Sequence, residues 1–185
     1  MRVIAGELRG RRLSARPGPS LRPTSDRVRE AIFDMLFSLG GVEGRQVVDL
    51  FAGTGALGIE ALSRGAASVT FVERDPNAVA ALRANLAAVG LSEAERTGEA
   101  TVVQADADRW VTRTASRYDL VLCDPPYDYA GWATLLPRLP GDLAVLESGA
   151  PLEVGPGWGV LRSKRYGGTI VTVARADGAT EKGAS

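Results

Sequence analysis

From residue 45 onward the chain alternates apolar runs with amphipathic stretches, and no other feature restricts its fold as much. The order is RQVVDLF, ALGIEALSRG, SVTFVE, PNAVAALRANLAAVG, ATVVQAD, a short helix near 107–115, YDLVLCD, a helix near 130–137, and DLAVLES. Strands this apolar must be covered on both faces, which is the condition of a parallel sheet rather than a one-sided antiparallel one. Right-handed crossovers between the five runs then give an α/β, doubly wound sheet. The final stretch, GVLRSKRYGGTIVTVAR, reads as two strands about Tyr166-Gly167-Gly168, an antiparallel hairpin added at one sheet edge.

The first forty residues follow a different pattern. RVIAGELRGRRLSA alternates weakly around Gly6 and Gly10 and suits a short basic hairpin. After PGPSLRP, one of Thr24, Ser25 and Asp26 caps a helix in which Val28, Ile32, Met35 and Leu36 share a face. The expected layout is an N-terminal extension over 1–40, a sheet domain over 41–176 and a disordered tail over 177–185. Charge follows the same division. Residues 1–30 carry eight arginines against Glu7, Asp26 and Glu30, a surplus of five, in a chain whose 22 basic and 22 acidic residues cancel. A basic arm on an acidic body fits a polyanionic partner, and a solvated hairpin face is the plainer account. The arm's Arg2, Arg9, Arg11, Arg12, Arg22, Thr24 and Arg27 are the candidate contacts to such a partner. With 185 residues the chain supports one core. One cysteine allows no internal disulfide, and the absence of a long uncharged run or signal core predicts a cytoplasmic protein. The absence of histidine excludes a Ser-His-Asp triad, a histidine base and most zinc or iron sites, so no metal is expected.

The first strand ends in DLFAGTGALGIEAL, where Gly53, Gly55 and Gly58 have the spacing of a dinucleotide fingerprint. In a doubly wound sheet this loop is a binding loop. A pyrophosphate wants bare backbone N–H groups and no carboxylate nearby. Asp49 stands four residues before Gly53, where its charge faces the ligand or the loop that holds it. That favours a cationic ligand such as S-adenosylmethionine, with an ammonium, a sulfonium and no phosphate. Glu73, ending the second strand, suits two ribose hydroxyls under either reading. Asp106, after the third strand, is either an adenine contact or a helix cap, or both. The candidate cofactor residues are Asp49, Phe51, Ala52, Gly53, Thr54, Gly55, Glu73, Arg74, Asp106 and Ala107. The simpler alternative is that the glycines serve only helix-strand packing.

The fourth strand ends in Asp124-Pro125-Pro126-Tyr127. An exocyclic amine on a base is a poor nucleophile because its lone pair is delocalised into the ring. The Asp124 carboxylate and the Pro125 carbonyl each accept one N–H, which aims the lone pair. Pro126 helps hold both acceptors rigid, and Tyr127 stacks on the base. Cys123 is not the nucleophile, because strand alternation turns it away from Asp124 into the core. The tetrapeptide does not choose among adenine N6, cytosine N4, guanine N2 and the glutamine amide.

RVIAGELRGRRL, LRPTSDRVREAIFDML, the DLFAGTG loop, EALSRGA and DPPY together resemble the bacterial small-subunit ribosomal RNA guanine-N2 methyltransferases. The match covers about residues 2–75 and 118–127, with Thr54 where serine is usual. The resemblance implies a Rossmann-like, class I methyltransferase fold and S-adenosylmethionine as cofactor. It further implies a monomer acting on 16S ribosomal RNA in a partly assembled small subunit, with Arg22, Pro23 and Thr24 beside the substrate. Guanine is implied by this resemblance alone. The rival within the same chemistry is a DNA adenine-N6 methyltransferase, which normally carries a target-recognition segment that this chain has no room for. A nicotinamide-dependent dehydrogenase has only the glycine spacing in its favour. A non-catalytic RNA-binding assembly factor is a third reading. The group Arg162, Lys164 and Arg165 either extends the RNA surface or guards a strand edge.

Overall fold

The computed structural model describes residues 1–13, 25–91 and 99–179. Seven strands form one sheet in the order β3-β2-β1-β4-β5-β7-β6. They are β1 (Gln46–Leu50), β2 (Ser68–Glu73), β3 (Ala100–Gln104), β4 (Tyr118–Cys123), β5 (Gly141–Ser148), β6 (Trp158–Tyr166) and β7 (Thr169–Ala176). The first five are parallel, and β7 pairs antiparallel with both β5 and β6. The doubly wound sheet with its edge hairpin is therefore present.

Period-two alternation divides the core into two layers. Val47, Phe71, Leu120, Leu122, Leu143, Val145, Val171 and Val173 face one cluster with α1 (Asp26–Phe37), α2 (Ala56–Ser63) and α3 (Pro76–Ala88). Val48, Leu50, Val72, Val121, Cys123, Ala144 and Leu146 face the other, with α4 (Ala107–Val111) and α5 (Trp132–Leu135). The strand order reverses between β1 and β4, so the chain ends of these two neighbours form the switch point. Two helices are shorter than the apolar pattern suggests. The stretch 107–115 holds five helical residues, and 130–137 holds four followed by a single 3-10 turn over Leu136–Arg138.

The N-terminal segment belongs to the core. A single antiparallel bridge, Arg2 to Arg12, closes the expected hairpin, and Val3, Leu8 and Leu13 pack with α1 and α2. Glu60 of α2 accepts the backbone N–H groups of Ile4 at 2.8 Å and Ala5 at 3.0 Å. Ser63 accepts from Leu8 N–H at 3.0 Å. Arg29, counted above in the basic arm, is fully buried: it donates to the Arg2 carbonyl and lies 3.5 Å from Glu60 and 3.1 Å from Asp26. Its charge is spent inside the molecule and does not reach the surface. Of the three cap candidates, Ser25 caps α1 by accepting Val28 N–H, while Thr24 lies outside the described residues. Of the tail, 177–179 form a turn after β7 and 180–185 lie outside the described residues.

Candidate active site

The loop between β1 and α2 takes its shape from positive backbone angles. Phe51, Gly53 and Gly55 have φ of 60°, 55° and 82°. A left-handed phenylalanine is uncommon and costly, and such residues concentrate at functional sites. Gly58 serves another purpose: a Cβ there would lie 2.2 Å from the Phe71 ring, so it brings α2 close to β2. The three glycines thus divide between loop geometry and helix-strand packing, and the two accounts of the motif apply to different positions.

Three buried polar groups hold this loop. Asp49 continues the parity of Val47 toward α2, and its carboxylate accepts Gly58 N–H at 2.9 Å. It therefore faces the glycine loop and the start of α2. Burial pushes its pKa up to about 8, opposed by the Gly58 bond and reinforced by the charges of Asp124 and Glu73. Glu73 accepts Gly53 N–H at 2.9 Å through Oε2, and Arg74 and Asp75 N–H at 2.7 and 2.8 Å through Oε1. Oε1 is thus already doubly engaged, and Oε2 keeps room for a hydroxyl. Asn85 of α3 donates to the Thr54 carbonyl at 2.9 Å. Nothing in the sequence marks Asn85, because it is one polar residue among helical alanines and leucines, 31 positions from its partner. Asp106 caps α4 by accepting Arg109 N–H at 3.1 Å, and its other oxygen lies 3.6 Å from Arg74. Ala52 and Ala107 are buried beside these groups.

Across the switch point, β4 delivers Asp124-Pro125-Pro126-Tyr127. Cys123 is buried in the opposite layer, where burial and the nearby carboxylates raise its thiol pKa well above the ordinary value. Pro125 is buried, Pro126 and Tyr127 are exposed, and the Tyr127 hydroxyl lies 2.6 Å from Thr169 Oγ1 at the start of β7. Beyond Tyr127, the Tyr129 hydroxyl donates to Asp108 at 2.5 Å and its ring meets Phe51 and Trp132 edge-on. This cluster ties the loop after β4 to the loop after β1. The sequence reading missed Asp108, Tyr129 and Trp132, whose meeting depends on the topology.

A cleft of about 450 Å³, open to solvent, lies beside the tetrapeptide. The start of α1 (Ser25, Arg27, Val28) forms one wall and the β6–β7 turn the other, with Asp124, Tyr127 and Glu147 between them. Of the candidate RNA contacts, Arg27 lines this cleft. Of the group Arg162, Lys164 and Arg165, the last two line it too. Arg2, Arg9, Arg11 and Arg12 are exposed, and Arg11 donates to the Val89 carbonyl at the end of α3. That end of α3 lies toward the amino edge of the sheet, so Arg11 is not gathered with Arg27. Arg22 and Thr24 lie outside the described residues.

The profile of the family described as conserved hypothetical protein 95 matches residues 1–175. The chain belongs to that family. YlbH of Bacillus subtilis (strain 168) is 43% identical over 130 residues, covering 69% of this chain and 67% of that protein. A protein of Escherichia coli (strain K12) named ribosomal RNA small subunit methyltransferase D is 40% identical over 127 residues. That match covers 69% of this chain but only 60% of the relative's length. A solved structure from Escherichia coli superposes with a TM-score of 0.80 at 33% identity, over 95% of this chain and 97% of that one.

Proposed function

We propose that this protein transfers a methyl group from S-adenosylmethionine to the exocyclic N2 amine of a guanine in small-subunit ribosomal RNA. The substrate is an assembled or partly assembled subunit. The observation that carries the reading is the pairing, at one switch point, of the glycine loop after β1 with Asp-Pro-Pro-Tyr after its neighbour β4. The name of the Escherichia coli relative supports RNA of the small subunit as the substrate class.

The residues around the glycine loop fit this cofactor. Asp49 is a buried carboxyl beside the charges of Asp124 and Glu73, a setting that a bound cation would relieve. A Cβ on Gly53 would meet only the Phe51 carbonyl, at 3.9 Å, so the loop leaves open space there. Asp49 and the backbone from Phe51 to Gly55 would hold the methionine end, Glu73 with Arg74 the ribose, and Asp106 with Ala107 the adenine. The cofactor supplies a methyl group on a sulfonium, which makes an otherwise weak amine nucleophile sufficient.

The protein's own contribution is orientation. The Asp124 carboxylate and the Pro125 carbonyl accept the two N–H groups, leaving the amine lone pair directed across the cleft. Two consecutive prolines fix the backbone angles that set both acceptors. Tyr127, braced by Thr169, stacks on the extruded base. The proton released by the amine passes to Asp124 or to water. Arg27 and the exposed arginines of the N-terminal segment contact phosphate.

The decisive experiment follows isotope-labelled methyl from S-adenosylmethionine into unmodified small subunits, naked ribosomal RNA and DNA, with nucleosides separated by mass spectrometry. Label in N2-methylguanosine from subunits is expected. Asp124→Ala should lower turnover by about 10²–10³-fold or more, with cofactor affinity held within a few-fold. Near-normal turnover in that variant removes the mechanism, and label in methyladenine removes the base.

A further inference from the structure

The Asp-Pro-Pro-Tyr loop orients an amine and leaves open which base carries it. Glu147 occupies the neighbouring strand end. In the parallel pairing of β4 with β5, Cys123 stands opposite Leu146, so Asp124 and Glu147 each follow directly on the last paired residues of these neighbouring strands. Both line the same cleft. A base held in that cleft therefore lies beside both acidic residues. Glu147 is 4% exposed and lines the cleft together with Asp124 and Tyr127.

The geometry points to Glu147 as the residue that selects guanine, by accepting its N1–H while Asp124 accepts from the N2 amine. This rests on the methyltransferase reading above. Among the bases, guanine alone has a ring donor beside its exocyclic amine. Adenine N6 and cytosine N4 are flanked by a ring nitrogen with a lone pair, which a second carboxylate repels. The pair Asp124 and Glu147 therefore matches the N1–H and N2–H₂ edge and disfavours the amines of the other two bases. Glu147 is a specificity residue that touches the base without taking part in methyl transfer.

The test replaces the target guanosine by 2-aminopurine in ligated substrate RNA. This analogue keeps the N2 amine but has a lone pair at N1. Turnover as kcat/KM is measured on both substrates for the wild type, Glu147→Gln and Glu147→Ala, with cofactor affinity and melting temperature as folding controls. The wild type is expected to prefer guanosine by about 10²-fold or more, as sites built around a substrate donor do. Glu147→Gln should lose the preference, because its amide accepts N1–H of guanosine through oxygen and donates to the unprotonated N1 of 2-aminopurine through nitrogen, whereas Glu147→Ala should lower turnover on guanosine. Since 2-aminopurine also lacks O6, the change in preference on substitution is the informative quantity. An unchanged preference in both variants overturns the role of Glu147 while leaving the reaction intact. A wild type that accepts both substrates equally overturns it without any variant. Wild-type label in a base other than guanine overturns the functional reading and this inference together.

Discussion

Asp49 is a single carboxyl on which burial, a backbone hydrogen bond and two nearby carboxylates act together, and burial dominates to leave its pKa at about 8. An acid whose folded pKa exceeds its unfolded value of 3.8 binds its proton more tightly in the native state. Stability from this group is therefore full at low pH and declines as pH rises through the interval between those values. Asp49→Asn should flatten that decline in urea titrations across pH 4–8. The same proton bears on ligand binding. A cation at this site favours the carboxylate, so S-adenosylmethionine binding should release a proton below about pH 8, with affinity rising up to about tenfold per pH unit. Calorimetry in two buffers of different ionisation enthalpy measures that release, and equal apparent enthalpies in both would remove Asp49 from the cofactor's surroundings. The position of Asp49 was legible in the sequence. Its protonation was not, because the loss of water around it depends on α2 closing over β1.

At the scale of elements, α2 is decided by one close approach. Gly58 lies within the helix, where alanine would normally stabilise by about 1 kcal/mol. Its added methyl would meet Phe71 Cε1 at 2.2 Å and Val69 Cγ1 at 2.9 Å, both in a fully packed layer. Overpacking of this kind costs about 1–3 kcal/mol. Gly58→Ala should therefore destabilise the fold by about 1–2 kcal/mol in urea titration despite its better helix propensity, and a more stable variant would show that β2 gives way. The period-two strands and the hairpin at Gly167-Gly168 were readable because side-chain alternation and turn chemistry are local. The ends of α4 and α5 were not, since packing against the sheet, rather than propensity, set where those helices stop.

Across the whole molecule, the N-terminal segment and the sheet domain are joined through charge. Glu60 is buried on α2, accepts two backbone N–H groups from residues 4 and 5, and faces Arg29 of α1 and Arg64 one turn on. Removing it takes one of two carboxylates from the buried guanidinium of Arg29 and leaves two backbone donors unpaired. Glu60→Ala should cost about 3–5 kcal/mol and, by loosening α1, should weaken RNA binding more than cofactor binding. Differential scanning calorimetry with filter binding checks both, and a loss below about 1 kcal/mol would show that water replaces the carboxylate. The expected division at residue 40 thus crosses a continuous core.

Sequence alone determined the sheet, its handedness, the two loops at its switch point and the chemistry those loops suit. These rest on periodicity, chirality and short motifs, all encoded within a few residues of one another. Tertiary structure alone decided that Arg29 is an internal counter-ion, that Asn85 holds Thr54, that Tyr129 links the two loops, and that Glu147 stands beside Asp124. Each of those depends on partners roughly 20 to 80 residues apart. A charged or polar residue reads the same in sequence whether it keeps its water or loses it, and the packing of the layers decides which.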